Sequence, residues 1–214
     1  MDKAKLYLAI FFICLPFGYL AAIYGDLPDT IPIHWNWRGV ADGFGPKWLL
    51  WLGPALGVPF ILLLNAALTR YIDDWPSSGK QRNVAFITLA FTSLLICYVI
   101  YSAQAGTQIG LGGLAVIMGL FFAALGNYLP VLKQNPWVGI RTPGTLKSER
   151  KWQIAHRFGG KVFLVGGVLL VLLGLLFTGA VVTVGLLAIV LVVSIITLVY
   201  TARIPDDADL DDFV

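Results

Sequence analysis

The chain has 214 residues, of which 58% are hydrophobic and only 13% are charged, and its mean hydropathy is +0.81. A soluble domain carries about 25% charged residues, so this composition leaves too little polar surface for a water-soluble globule and predicts an integral membrane protein. The formal net charge is only +3, which makes the distribution of the charges more informative than their sum.

The predicted elements are six membrane-spanning helices, since a helix needs about 20 apolar residues to cross a bilayer. They comprise residues 6–24, 48–68, 84–101 and 109–131, and a double-length run over 162–202 that is interrupted at 177–179. Pro54 and Pro59 predict a kink in the second span. Gly53 and Gly57 give the same span a small-residue face for close helix approach. The predicted fold class is therefore an all-α integral membrane protein with six transmembrane helices.

The first apolar run has an alternative interpretation as a cleaved signal peptide over residues 6–20. Lys3 and Lys5 suit the basic start of such a peptide, and Ala21-Ala22 offers only a weak cleavage site. The run is long enough to span, however, and it ends in Tyr24, an aromatic residue typical of the membrane interface. A first transmembrane helix is the favoured prediction.

The distribution of Lys and Arg predicts how the spans are oriented, because short loops rich in these residues stay in the cytoplasm. With the amino terminus inside, thirteen of the fifteen basic residues face the cytoplasm, and only Arg38 and Lys47 face outward. Seven of the thirteen lie in one basic segment, residues 127–161, whose single acid is Glu149. Both termini and the basic segment are thus predicted to lie on the cytoplasmic side of the cell membrane.

The chain is predicted to comprise three regions. Residues 1–83 form a two-helix region with an outward Trp-rich loop, 25–47, and residues 84–204 form a four-helix region with a cytoplasmic basic loop, 132–161. The last ten residues, 205–214, are an acidic tail that is too polar and too short to fold by itself.

The outward loop contains the sequence HWNWR over residues 34–38. If this stretch is extended, His34, Asn36 and Arg38 point to one side, and the two tryptophans between them point to the other. One interpretation is an interface loop with its tryptophans at the headgroups. The sharper one is a docking surface for an amphipathic ligand, since Trp and Arg dominate binding hot spots. The candidate contacts are His34, Trp35, Asn36, Trp37, Arg38, Asp42 and Lys47.

No metal site or other cofactor is predicted. Zinc takes three or four protein ligands, and the loop that contains His34 has no second histidine and no cysteine or glutamate. The other histidine, His156, is predicted to lie on the opposite side of the membrane.

The basic segment is predicted to turn at Thr142-Pro143 and to start a helix near Thr145 or Lys147. Glu149, Trp152 and His156 share one face of that helix. An interfacial helix would place Trp152 and Phe158 in the headgroup boundary, with cations around them that contact anionic lipid. A landing surface for a cytoplasmic protein is compatible with this arrangement, whereas direct binding of nucleic acid is not expected.

At this point the sequence resembles a known family of bacterial membrane proteins, the SdpI family. The stretch GNYLPVLKQNPWVGIRTPGTLKSERKWQIAHRFGGK is similar to its signature, and the outward loop LPDTIPIHWNWRGVADGFGPK is similar to a small domain of unknown function that often precedes it. The matching signature positions are Asn127, Pro130, Asn135, Gly139, Arg141, Thr142, Pro143, Glu149, Trp152, His156 and Arg157, and all of them except Pro130 are partner-binding candidates. Those of the first motif are Pro28, Pro32, His34, Asn36, Gly39, Asp42, Gly43 and Lys47. One departure is Gly144, where the family pattern favours Trp.

The resemblance implies a non-catalytic immunity or receptor protein that protects against a secreted peptide toxin and signals by recruiting a cytoplasmic repressor. A small transporter or channel is the first alternative, disfavoured because the spans carry almost no charge and Asn65 is the main polar residue deep in one. A membrane enzyme that uses Arg141, Glu149 and His156 for acid–base work is the second. The simpler interpretation is that these three side chains brace the loop through an ion pair and hydrogen bonds.

Overall fold

The computed structural model describes residues 3–71, 79–106 and 110–205 of the chain. Several sequence predictions concern residues outside this part: the acidic tail from residue 206 onward, residues 107–108 of the break between the third and fourth spans, and the side chain of Asn65. The side chains of four basic residues counted for the orientation, Lys5, Arg70, Lys80 and Arg82, also lie outside it.

Within the described ranges, helices dominate and one β-hairpin interrupts them. The helices are α1 (Lys3–Ile23), α2 (Val58–Tyr71), α3 (Gly79–Ala105), α4 (Gly112–Tyr128), α5 (Pro143–Lys147), α6 (Glu149–Leu176) and α7 (Ala180–Ala202), and the strands are β1 (Thr30–Trp35) and β2 (Ala41–Pro46). Short 3-10 segments cover Tyr24–Asp26, Lys47–Trp51 and Leu129–Val131. The structure is consistent with the predicted all-α class, to which it adds one feature that the prediction lacks, two paired strands in the loop over residues 25–47.

Six helical segments of the described chain are long and apolar enough to cross a membrane, which confirms the predicted number. They are Leu6–Asp26, Lys47–Leu64, Asn83–Ala105, Gly112–Val131, Glu149–Leu176 and Ala180–Ala202. The last two are separated where the sequence predicts it, since α6 ends at Leu176 and Gly179 adopts a φ of 60°. The fifth begins earlier than predicted, because the helix of the basic segment continues directly into the span.

The second span is not a regular helix. A 3-10 segment is followed by one π-helical turn over Gly53–Gly57 before α2 begins, which is the kind of irregularity that Pro54 and Pro59 predict. A Cβ added at Gly57 would lie 2.9 Å from Ile96 Cδ1, and one at Gly53 would lie 3.2 Å from Ile96 Cγ2. The small residues therefore allow this span to approach α3 closely.

The tightest helix contact joins α4 to α6 through three pairs of glycines spaced seven residues apart. Gly112 faces Gly174, Gly119 faces Gly167, and Gly126 faces Gly160. A Cβ on Gly119 would lie 2.6 Å from the Gly167 carbonyl oxygen, and one on Gly126 would lie 2.7 Å from that of Gly160. Any side chain at these positions would force the two backbones apart, so the ladder sets the distance between the helices.

The hairpin and the basic segment lie at opposite ends of the bundle. Ile100 and Ala103, near the end of α3, pack in one buried cluster with Ile31 of the hairpin. Val84, near the start of the same helix, packs with Leu132, Ile140 and Trp152 of the basic segment. The two ends are called the hairpin end and the basic end below.

Candidate functional site

Strands β1 and β2 pair in antiparallel register, with Thr30 opposite Pro46 and Trp35 opposite Ala41. Asn36 closes the turn, because its side-chain oxygen accepts hydrogen bonds from the amides of Arg38 (2.9 Å) and Val40 (3.2 Å). Gly39 follows with a φ of 80°, a left-handed conformation that glycine adopts without strain. The prediction of an extended stretch through Arg38 is wrong, since the strand ends at Trp35 and Asn36 is a turn residue.

The hairpin is anchored on the bundle by apolar burial. Ile31 is completely buried, and it packs with Leu27, Leu20 and Leu50. The indole of Trp35 is half-buried and donates a hydrogen bond of 3.4 Å to the carbonyl of Gly106, just after α3. Trp35 therefore fixes the hairpin to α3 instead of facing outward as a free contact.

Lys47, a predicted contact residue, is engaged at the base of the hairpin. Its ammonium group donates to the carbonyl of Leu27 (2.9 Å), lies 3.4 Å from the Asp29 carboxylate and sits 5.2 Å from the centre of the Tyr24 ring. The side chain is only 22% exposed. Lys47 closes the loop on itself, which is a structural role.

Four of the predicted contacts remain at the surface of the hairpin. Trp37 is 54% exposed, and the Arg38 guanidinium lies 4.8 Å from the centre of its ring. His34 and Asp42 are also exposed, and their side chains are in direct contact. A hairpin held by hydrogen bonds and apolar packing thus presents an aromatic ring, a cation and a His–carboxylate pair at its surface.

Two exposed aromatic side chains extend this surface, although the sequence analysis did not include them among the candidate contacts. Phe44 is 53% exposed and Trp48 is 54% exposed. Phe44 lies on the same face of β2 as Asp42, which precedes it by two residues. The alternation of side chains along a strand would therefore have predicted that Phe44 is exposed, had the strand been recognised.

A groove opens beside the hairpin toward α3 and the second span. It encloses about 310 Å³ and is lined almost entirely by aliphatic side chains, including Ile33 of β1, Leu49 of the second span, and Ile96 and Val99 of α3. Ile33 is 45% exposed at its rim. This hairpin groove places an apolar surface next to the polar and aromatic one.

At the basic end, Asn135 organises the loop that precedes α5. It is 5% exposed, its amide nitrogen donates to the carbonyls of Lys133 and Val138, and its oxygen accepts from the amides of Trp137 and Val138. All four bonds are 2.8–3.1 Å long. Asn135 is therefore a buried structural residue and does not present its side chain to a partner.

His156 is completely buried and fixed in one neutral tautomer. Its Nε2 accepts a hydrogen bond of 3.0 Å from the Ile140 amide, so the proton lies on Nδ1, which donates to the carbonyl of Trp152 at 2.8 Å. Gly139 adopts a φ of 126°, and a Cβ there would collide with the imidazole. The histidine thus ties the loop to α6 and has no ring nitrogen left for acid–base chemistry.

Trp152 does not lie among lipid headgroups, so the prediction of an interfacial anchor is wrong at this position. It is 0% exposed, its indole donates to the carbonyl of Leu132 at 2.8 Å, and its ring stacks on His156 with centroids 4.0 Å apart. Phe158 stacks on Tyr200 of α7 at 3.6 Å. The loop thus covers the Trp152 ring, which an isolated amphipathic helix would have exposed, and α7 covers part of Phe158.

The predicted turn at Thr142 is the cap of a separate short helix. Thr142 and Thr145 bond each other reciprocally across the first turn of α5, and the buried Thr145 hydroxyl also donates to the Ile140 carbonyl at 2.8 Å. Pro143 occupies the first helical position, which suits its fixed φ. The helix start predicted near Thr145 or Lys147 is thus two to four residues late. Ser148 then ends α5 and caps the start of α6. A side chain at Gly144 would lie over Lys151.

Arg141 and Glu149 are both exposed, and no ion pair joins them among the residues that the structure describes. The predicted ion pair is therefore wrong, whereas His156 does brace the loop through hydrogen bonds. The signature side chains that do reach the surface are Asn127, Pro130, Arg141, Pro143, Glu149 and Arg157.

Glu149 and Arg157 line a second groove, of about 310 Å³, together with Lys133, Gln134 and Gln153. Its walls carry charges of both signs. The described residues contain no group of three or more His, Cys, Asp or Glu side chains that could hold a metal ion.

Two models of known families match separate parts of the chain. The model of the SdpI/YfhL protein family matches residues 131–201, which include the buried His156 and Trp152 and the exposed Glu149 and Arg157. This part of the chain is therefore similar to the SdpI family. A domain of unknown function (DUF1648) matches residues 11–58, which include the whole hairpin.

The chain is also similar to the Immunity protein SdpI of Bacillus subtilis (strain 168). The two are 29% identical over 201 residues, which cover 89% of this chain and 90% of the relative. No solved structure matches the chain. The similarity and the six apolar helices together show a multi-pass protein of the plasma membrane.

Proposed function

We propose that this protein is a membrane immunity protein whose hairpin end binds a secreted antimicrobial peptide. The observation that carries the proposal is the exposed Trp37–Arg38 pair on a hydrogen-bonded hairpin, in a chain similar over most of its length to an immunity protein. Trp and Arg side chains contribute most to binding hot spots. A rigid hairpin also spares the entropy cost of ordering them when a ligand binds.

The surface around this pair suits an amphipathic peptide. The hairpin groove offers an apolar surface of a size that accepts several aliphatic side chains, and Phe44 and Trp48 are exposed on the same end of the molecule. Arg38 and the His34–Asp42 contact supply the polar edge. We infer that the apolar face of the peptide enters the groove while its polar face meets Arg38.

This binding requires the hairpin end to face outward. The excess of thirteen basic residues over two supports that orientation, with the basic end and both termini in the cytoplasm. We further propose that the basic end docks a cytoplasmic partner such as a repressor. The exposed Arg141, Glu149 and Arg157 and the groove of mixed charge support this role.

The similarity to an immunity protein supports a non-enzymatic role. The three side chains considered for acid–base work also argue against an enzyme. Both ring nitrogens of His156 are hydrogen-bonded to the main chain. Arg141 and Glu149 are exposed, whereas His156 is buried.

The test is survival of a toxin-sensitive host that expresses the protein and is challenged with supernatant of a toxin-producing strain. Trp37→Ala and Arg38→Ala should abolish protection at unchanged membrane abundance. The matched control is Trp137→Ala, since Trp137 is 52% exposed but lies at the basic end, and it should leave protection intact. Full protection by the Trp37→Ala/Arg38→Ala double variant would refute the hairpin as the binding surface.

A further inference from the structure

A third groove, which is apolar, lies between helices α6 and α7 on the outside of the bundle and has a volume of about 430 Å³. Gly166 allows the close approach, since a Cβ there would collide with Val193. The small Ala188 and the side chains of Val165, Leu169 and Val192 form the walls. The groove is separate from the hairpin groove and from the groove of mixed charge at the basic end.

Among the described residues, Lys161 is the one charged residue that lines this α6–α7 groove, and it stands at the basic end of it. Arg157 precedes Lys161 by one helical turn on the same side of α6. On the antiparallel α7, Arg203 follows the lining residue Ile196 by seven residues, which is two turns. All three cations are exposed, so positive charge lies near one end of an otherwise apolar groove.

We propose that the α6–α7 groove binds an anionic phospholipid, with an acyl chain along its apolar walls and the phosphate at Lys161 and Arg157. The groove faces hydrocarbon in the membrane, where an acyl chain is the available apolar filler. Lys and Arg near the end of a span extend toward the headgroup level, and each basic residue near the surface favours anionic lipid.

A second copy of this chain fits the groove less well. A two-fold interface presents the same patch from both subunits, so it would bring the cationic ends of two such grooves into one apolar contact. Like charges brought together without a counter-charge repel. A phosphate group instead neutralises the cations that flank the groove.

Native mass spectrometry of the full-length protein in detergent tests the proposal, with dioleoylphosphatidylglycerol and dioleoylphosphatidylcholine added separately as probes. Wild-type protein should retain one phosphatidylglycerol molecule at higher occupancy than phosphatidylcholine. Lys161→Gln should lower phosphatidylglycerol binding about fivefold and leave phosphatidylcholine binding unchanged. Lys147→Gln is the charge-matched control, because Lys147 lies on α5 away from the groove.

Ala188→Phe should fill the groove and reduce retention of both lipids, whereas Leu187→Phe should not, since Leu187 is 62% exposed and lies outside the lining. Melting temperatures close to that of the wild type establish that these variants fold. Equal retention of the two lipids by the wild type, or no change in Lys161→Gln, overturns the proposal. A dimer that Ala188→Phe dissociates overturns it as well, because the groove is then covered by a second copy.

Discussion

The hydroxyl of Thr183, in the first turn of α7, donates a hydrogen bond of 2.8 Å to the main-chain carbonyl of Trp37 at the tip of the hairpin. The same helix reaches the basic end, where Tyr200 stacks on Phe158, and Ile204, just past its end, packs with Ile154 and Ala155 of α6. Helix α7 thus contacts the proposed peptide-binding surface at one end and the helix that holds His156 at the other. If binding outside is coupled to recruitment inside, α7 is an element on which both events act.

Replacing Thr183 with Val should loosen the hairpin without unfolding the bundle. The bond is exposed, so its loss should change the free energy of unfolding by no more than about 1 kcal/mol. Hydrogen exchange at the amides of Arg38 and Val40 should nevertheless become faster. Ser194→Ala is the control, because the Ser194 hydroxyl bonds within α7, to Val190. Equal exchange in Thr183→Val and the wild type would show that the contact does not hold the hairpin.

Replacing His156 with Phe should destabilise the basic segment. The ring can still stack on Trp152, but the buried amide of Ile140 loses its acceptor, which costs about 1–3 kcal/mol. The melting temperature in detergent should fall by several degrees, while the exposed Arg141→Gln changes it little. A melting temperature that His156→Phe leaves unchanged would contradict the role of the histidine as a bridge between the loop and α6.

Adding a methyl group to the glycine ladder should separate α4 from α6. In Gly119→Ala the new Cβ would approach the Gly167 oxygen to 2.6 Å and the Val171 nitrogen to 2.7 Å, so the backbones must shift at a cost of roughly 1–3 kcal/mol. Gly18→Ala is the matched control in α1, since a Cβ there meets nothing within 4 Å. Equal thermal stability of the two variants would rule out the ladder as the determinant of helix spacing.

Single-cysteine labelling of intact cells tests the orientation, after Cys14 and Cys97 are replaced with Ser. A membrane-impermeant maleimide should modify Asp42→Cys on the hairpin and spare Lys147→Cys on α5. Permeabilised cells should show labelling at both positions, which controls for reactivity. Labelling of Lys147→Cys in intact cells would reverse the proposed faces and remove the outward peptide site.

The sequence by itself determined the number of spans and the break at 177–179, because the length of an apolar run and the turn preference of glycine are local properties. It also marked Trp37 and Arg38 as candidate contacts, but it placed them on opposite sides of an extended stretch, and only the structure brings the Arg38 guanidinium over the Trp37 ring. It did not reveal the strands around them, because β1 and β2 become strands only by pairing with each other across the turn at Asn36.

Only the tertiary structure decided which signature residues are buried. Periodicity places Glu149, Trp152 and His156 on one helix face, but whether that face meets lipid or the rest of the loop depends on contacts with residues 132–140. In the same way, glycines spaced by seven on α4 and α6 become a ladder only when the two helices meet in register. Burial is set by which distant surfaces come together, and that information is not contained in any local stretch of the chain.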